Sequence, residues 1–165
     1  MDTADKYYKA KQRKWDRYFH GICDAVAVQS PCLSRNIGAI LVRDKSIIAT
    51  GYNGPPRGFT HCIEKGNSCP RMSLEGYESG KFLDICPAAH AEANCLVNAA
   101  RNGVIVINST LYMNCVVPCK DCMILLANAG ITGVVVDSLD PYSSVNQMSK
   151  EIADFSGIEV RRFNL

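Results

Sequence analysis

No apolar stretch of the 165-residue sequence is long enough to cross a bilayer. The longest, such as Ile37–Val42 and Val134–Val136, have the size of a strand, whereas a spanning helix needs about 20 apolar residues in a row. An excess of one charge is missing too. Eighteen Lys+Arg stand against 16 Asp+Glu, and a pI near 8.1 is too balanced to indicate a nucleic-acid partner by charge alone. The opening Met1-Asp2-Thr3-Ala4-Asp5-Lys6 lacks the apolar core of a secretory signal, so a reducing, cytoplasmic setting is expected, with no membrane partner. No repeat, low-complexity tract or linker interrupts residues 1–165, which reads as one domain. A charged fraction of 21% with mean hydropathy of −0.03 excludes a disordered chain. Against these absences the sequence has nine cysteines. In a reducing compartment clustered cysteines point to metal ligands or catalysts rather than disulfides, and an odd number cannot pair off within one chain.

Hydrophobic spacing predicts a first helix from Ala4 to about Gln29, stopped by Ser30-Pro31. Two β-rich runs follow, Ile37–Val42 and Ser46–Tyr52, separated by Arg43-Asp44-Lys45, and read as an antiparallel hairpin. Residues 53–87 are rich in Gly, Pro, Cys and charge without periodicity, a length that inside a compact domain is functional or tied down by something. Then come a helix over 88–101, a strand over 110–115, a helix over 119–128, a strand over 131–136, a helix over 144–155 and a strand over 158–163. Alternation in the second half predicts parallel pairing by right-handed crossovers. The expected fold is therefore α/β, a mixed five-stranded sheet with helices on both faces.

Two segments carry chemistry, Pro87-Ala88-Ala89-His90-Ala91-Glu92 and Pro118-Cys119-Lys120-Asp121-Cys122, each at the start of a predicted helix. A helix N-terminus favours anions and lowers thiol pKa values. Cys119 and Cys122, three apart, can face one ion from a first turn, with His90 as a third ligand. Three protein ligands leave the fourth tetrahedral position open, the pattern of catalytic zinc. Glu92 near that open position can carry protons. Alone, the C-x-x-C pair is equally compatible with structural zinc or a redox pair, and a zinc-stabilised binding module without turnover competes with an enzyme. Glu92 discriminates, because a purely structural site needs no such carboxylate. H-x-E followed by P-C-x-x-C is the signature of zinc-dependent nucleobase deaminases, whose Glu is not a ligand.

On these residues the chain resembles the cytidine deaminase superfamily and, within it, the deoxycytidylate (dCMP) deaminases, from about Cys32 to Phe163. The most specific part is Ile37–Val42 followed by Gly51-Tyr52-Asn53-Gly54-Pro55-Pro56-Arg57-Gly58 and His61-Cys62. Thr110–Met113 leading to Pro118-Cys119 is also similar, although Asn114–Val117 is an atypical approach. The resemblance implies a three-layer fold and hydrolytic deamination of dCMP to dUMP and ammonia, supplying dUMP for dTMP synthesis. It implies zinc on His90, Cys119 and Cys122, attack at C4 of cytosine, and Glu92 as proton shuttle. Asn53 would bond the sugar, the Ala91 amide the base carbonyl, and Tyr142, otherwise a turn residue, would line the nucleotide site. Arg35 and Arg57 would meet the phosphate, unless they are solvated surface charges. In regulated relatives Gly51, Tyr52, Gly54 and Gly58 would contribute to a site for dCTP (with Mg²⁺) or dTTP between subunits, and a homohexamer is expected. A deaminase of another nucleotide, nucleoside, base or nucleic acid is the alternative enzyme.

His61, Cys62, Cys69 and Cys86 lie in the long loop. A loop without a core of its own can be held by metal, so these four are expected to form a second, structural zinc site. Reduced thiols, or a His61 facing the nucleotide, are the other readings. Cys23, Cys32, Cys95 and Cys115 are expected to be small core residues.

Overall fold

A computed structural model describes residues 3–78, 80–139 and 147–165. Helix α1 spans Thr3–Ala27, strands β1 and β2 span Gly38–Arg43 and Ser46–Tyr52, and a single 3₁₀ turn, Leu83–Ile85, interrupts the long loop. Helix α2 (Ala91–Arg101), strand β3 (Thr110–Met113), helix α3 (Lys120–Asn128), strand β4 (Gly133–Val136), helix α4 (Gln147–Phe155) and strand β5 (Glu159–Arg162) complete the order. The five strands form one sheet in the order β2-β1-β3-β4-β5. Strand β1 pairs antiparallel with β2 and β3, and β3, β4 and β5 run parallel. The sequence-derived order, mixed pairing and three layers all hold. The hairpin closes on Asp44 and Lys45, both at positive φ (51° and 62°), the left-handed pair that a two-residue turn between twisted strands requires.

Period-2 alternation sorts the sheet residues between two cores. Ala39, Leu41, Leu111, Met113, Val134 and Val136 face a core shared with α2, α3 and α4. Ile40, Val42, Tyr112 and Val135 face Phe19 and Cys23 of α1. Two glycines allow the helices to lie close. A Cβ on Gly38 would sit 2.0 Å from the Cys23 carbonyl oxygen of α1, and one on Gly51 would sit 2.3 Å from the Cys95 nitrogen of α2. Asn94 and Asn98, one turn apart on α2, donate to the carbonyls of Tyr52 and Thr50 on the edge strand β2, both at 2.8 Å. Those bonds satisfy backbone groups that an open sheet edge would leave exposed. Helix α2 starts at Ala91 rather than Ala88 because residues 87–90 are held extended. Gly54 and Ala89 exchange two backbone hydrogen bonds, at 3.1 and 2.9 Å.

Asp16 of α1, fully buried, ties that helix to the end of the sheet. Its carboxylate accepts two hydrogen bonds from Arg161 of β5, at 2.8 and 3.0 Å, and others from the Asn164 amide and from Gln12, each at 2.8 Å. Burial alone would raise the Asp16 pKa, but these donors together hold it below its ordinary value of 3.8. A depressed carboxylate pKa contributes stability that is fully present above 3.8 and disappears as pH falls through the folded-state value. Asp16→Asn leaves Arg161 without its anion and is expected to cost about 3–5 kcal/mol in urea unfolding at neutral pH. The same variant should lose less stability than the parent between neutral pH and the strongly acidic range, as measured by unfolding over a pH series.

Candidate active site

His90 and Cys119 are the N-cap residues of α2 and α3, both with extended backbone (φ −71°, ψ 158° and φ −65°, ψ 164°), and neither side chain caps its own helix. Cys122 follows in the first turn of α3. The two helix starts meet, with Cys119 Sγ 3.4 Å and Cys122 Sγ 3.5 Å from His90 Nδ1. Among the described residues these three form the only group of at least three His, Cys, Asp or Glu side chains whose ligand atoms all lie within 4.8 Å of one another. Zinc bonds of about 2.0–2.1 Å to nitrogen and 2.3 Å to sulfur, at tetrahedral angles, set N and S about 3.5 Å apart. The donor set and its spacing therefore fit zinc. Behind the motif, Ser149 of α4 donates to the Pro118 carbonyl at 2.7 Å and fixes the approach to Cys119.

The protons in this cluster are shared unequally. The hydrogen bond from Cys122, then that from His90, pull the Cys119 thiol down to about 4, and burial opposes them only in part. The Cys119 thiolate in turn lifts His90 to about 9, against the effect of burial. Cys122 is pushed up by its bond to Cys119 and by burial. Glu92, in the first turn of α2 and 4% exposed, is pushed up by burial, while the His90 charge pulls the other way. A carboxyl group raised toward neutrality can both accept and deliver a proton.

His90, Glu92 and Cys119 line one cavity of about 280 Å³, at the small end of ligand sites. Ile37, Met113, Val116 and Val117 supply an apolar wall, and Asn53, Ser34 and Arg35 a polar one. The atypical Asn114–Val117 approach thus contributes directly to the cavity, through Val116 and Val117. Asn53 stands in the wall as expected, with its amide already engaged. Its Oδ1 accepts from Ser30 Oγ and from the Ile37 amide, both at 2.8 Å, and its Nδ2 donates to the Arg35 carbonyl at 2.9 Å. It buckles the 30–37 segment around the site and keeps one amide hydrogen. Ala91 is fully buried between two lining residues, and its amide belongs to the helix start, where N–H groups have no intrahelical partner.

Arg57 is not brought to this cavity. It donates to Asn98 Oδ1 at 2.8 Å and lines a separate cavity of about 430 Å³ beside β2 and the C-terminal half of α2. Gly51 and Gly54 act as scaffold, the first against α2, the second in the Ala89 bridge. Tyr52 is 38% exposed, and Gly58 is in an open loop at φ +85°. Tyr142 lies outside the described residues. In the long loop, burial and then Cys69, Cys32 and Cys86 push the Cys62 thiol up. Cys32, half-buried, lines the same cavity as His90 instead of packing in the core. The His61 amide donates to Glu64 at 2.8 Å. Cys23, Cys95 and Cys115 are buried as expected. The sequence reading missed Arg71, which is 5% exposed and lines the same cavity as His90 and Glu92. Burial inside an aperiodic loop leaves no pattern from which to find it.

Residues 13–138 match the family model described as cytidine and deoxycytidylate deaminase zinc-binding region. Over 151 residues the chain is 38% identical to the deoxycytidylate deaminase of Schizosaccharomyces pombe, covering 90% of this chain and 44% of the relative. Over 168 residues it is 37% identical to that of Saccharomyces cerevisiae, covering 99% and 50%. The chain therefore spans about half the length of these curated relatives. Among solved structures it resembles the dCMP deaminase of the cyanophage S-TIM5 in its apo form, with a TM-score of 0.64, 25% identity, and coverage of 89% of this chain and 95% of that one.

Cys119→Ala is expected to remove the metal of this cluster. Elemental analysis of the purified parent should find roughly one zinc per chain at this site, and the variant one fewer. A second zinc in both proteins would reveal occupancy of the loop cysteines.

Proposed function

The chain belongs to the cytidine and deoxycytidylate deaminase family, and we propose that it catalyses the zinc-dependent hydrolytic deamination of dCMP to dUMP and ammonia. Glu92 carries this reading. It is a buried carboxyl group in the same cavity wall as His90 and Cys119, placed where a structural metal site has no use for one. Both yeast relatives are named deoxycytidylate deaminases, which supports dCMP as the substrate.

Zinc held by His90, Cys119 and Cys122 would supply a water made nucleophilic near neutral pH. Glu92 would take one proton from the attacking water and deliver it to N3, and would then carry the other, from the new C4 hydroxyl, to the amine. The C4–N bond breaks and ammonia leaves. Burial of Glu92 matches its affinity for a proton to both halves of that transfer. The Ala91 amide, at the positive end of α2, holds the base carbonyl. The amide hydrogen that Asn53 keeps is available to the sugar, and Arg35 meets the phosphate. The apolar wall excludes bulk water and gives the base a surface to pack on.

The proposal extends to the features that the family resemblance implies. These are dUMP supply for dTMP synthesis, activation by dCTP with Mg²⁺ and inhibition by dTTP, a homohexamer in the cytoplasm, Tyr142 at the nucleotide, and a structural zinc drawing on His61, Cys62, Cys69 and Cys86.

Glu92→Ala should lower kcat by at least about 10²–10⁴-fold while zinc content stays at the parent value; loss of the metal as well would mean that Glu92 has another role. In a panel of dCMP, CMP, dCTP, deoxycytidine and adenosine in RNA, ammonia release should be fastest with dCMP. A different best substrate would refute the dCMP reading and leave the zinc chemistry standing.

A further inference from the structure

We propose that Arg71 anchors the 5′-phosphate of the substrate, and so makes this cavity a nucleotide site rather than a nucleoside site. The inference rests on the cavity being the deaminase site. Arg71 comes from the cysteine-rich loop between β2 and α2, yet only 5% of it is exposed and it shares the cavity wall with His90, Glu92, Ser34 and Arg35.

Its guanidinium is held but not satisfied. Nε donates to the Lys81 carbonyl at 2.8 Å, and the group lies over the Tyr77 ring, 5.5 Å from its centroid. Tyr77 donates its hydroxyl hydrogen to Ser34, another wall residue. Among the described residues, Arg71 Nη2 is the one buried side-chain nitrogen or oxygen without a hydrogen-bond partner. A buried donor left unpaired costs free energy, and such an exception calls for a ligand or a functional reason. No described carboxylate forms an ion pair with Arg71. The acidic side chain in the cavity wall is Glu92, which is needed for proton transfer.

A doubly charged phosphate satisfies such a group better than any other part of a nucleotide. It accepts from the guanidinium edge in paired, charge-assisted hydrogen bonds, and Arg35 brings a second cation to the same wall. The contact with the Tyr77 ring and the bond to the Lys81 carbonyl hold the guanidinium in place before the ligand arrives, which lowers the ordering cost of binding. Arg57, the cation that the Gly-rich loop motif singles out, is occupied with Asn98 elsewhere. The loop therefore supplies its phosphate ligand fourteen residues further along the chain.

The test compares the parent with Arg71→Met and Arg71→Lys, with zinc content and thermal stability measured on each. The expected result in Arg71→Met is a rise in KM for dCMP of about 10²-fold with kcat changed far less. Competitive inhibition of the parent by inorganic phosphate should weaken by a similar factor. Arg71→Lys keeps the charge but not the fork, and should fall between the two. An unchanged KM and phosphate inhibition constant in either well-folded variant would overturn the assignment, as would a loss confined to kcat. If Arg71→Met fails to fold, Arg71→Lys and phosphate competition on the parent decide. A parent that is not inhibited by phosphate refutes the proposal. A parent that does not deaminate dCMP refutes the proposed reaction instead. Calorimetric binding of dCMP and inorganic phosphate to the parent and Arg71→Lys then still reads the phosphate anchor.

Discussion

Two helices have to begin at the same point in space, and most of this architecture serves that constraint. Helices α2 and α3 meet through their N-caps, so that His90, Cys119 and Cys122 present one nitrogen and two sulfurs within 4.8 Å of one another. Strand β3, in the middle of the sheet, leads to the Cys119 end through residues 114–118, and Ser149 holds the last carbonyl before it. The Gly54–Ala89 bridge fixes the His90 end. Gly51 lets α2 lie against β2 at a distance that no side chain on that residue would permit. Displacing either helix start by an ångström would break the tetrahedral spacing, because metal–ligand bonds tolerate little error.

The second consequence of that junction is electrostatic. Helix N-termini stabilise anions, and the site gathers two acidic groups, the Cys119 thiol and the Glu92 carboxyl. Burial opposes them, and Glu92 is raised accordingly. The tension is resolved differently at Asp16, where four donated hydrogen bonds satisfy a buried carboxylate completely and make it a structural tie. At Glu92 the carboxyl is left raised beside a cavity. Local dissatisfaction marks the functional end of the molecule, and full satisfaction marks the structural end. Arg71, buried with an unpaired nitrogen in the same cavity wall, belongs to the first kind.

Much of the fold is legible in the sequence because the signals are local. The β-rich runs Ile37–Val42 and Ser46–Tyr52 mark strands, and Arg43-Asp44-Lys45 marks their turn. The three strand–helix units after residue 88 imply parallel pairing. His90-x-Glu92 and Pro118-Cys119-x-x-Cys122 point to the metal chemistry because each motif keeps its own residues within one helix start, although His90 lies 29 residues from Cys119. Where the sequence misleads, the reason is a competing contact. Arg57 looks like a phosphate ligand, but Asn98 on α2 is nearer to hand. Cys32 looks like a core residue, but the segment that Asn53 buckles turns it toward the cavity. Helix α2 starts three residues late because Ala89 pairs with Gly54 instead of joining the helix.

The sequence by itself determined the element order, the mixed pairing and the ligand triad with its carboxylate. Each of these follows from local patterns along the chain, through β-rich runs, helical periodicity and the motifs at the helix starts. The tertiary structure alone decided which cations and sulfurs of the long loop reach the cavity. Residues 53–87 have no periodicity to orient their side chains, so the positions of Arg57, Cys62 and Arg71 depend on contacts with residues far away in the chain. Burial of a guanidinium against Tyr77 and Lys81 is a property of the packed loop, and it becomes visible only when the loop is folded over the site.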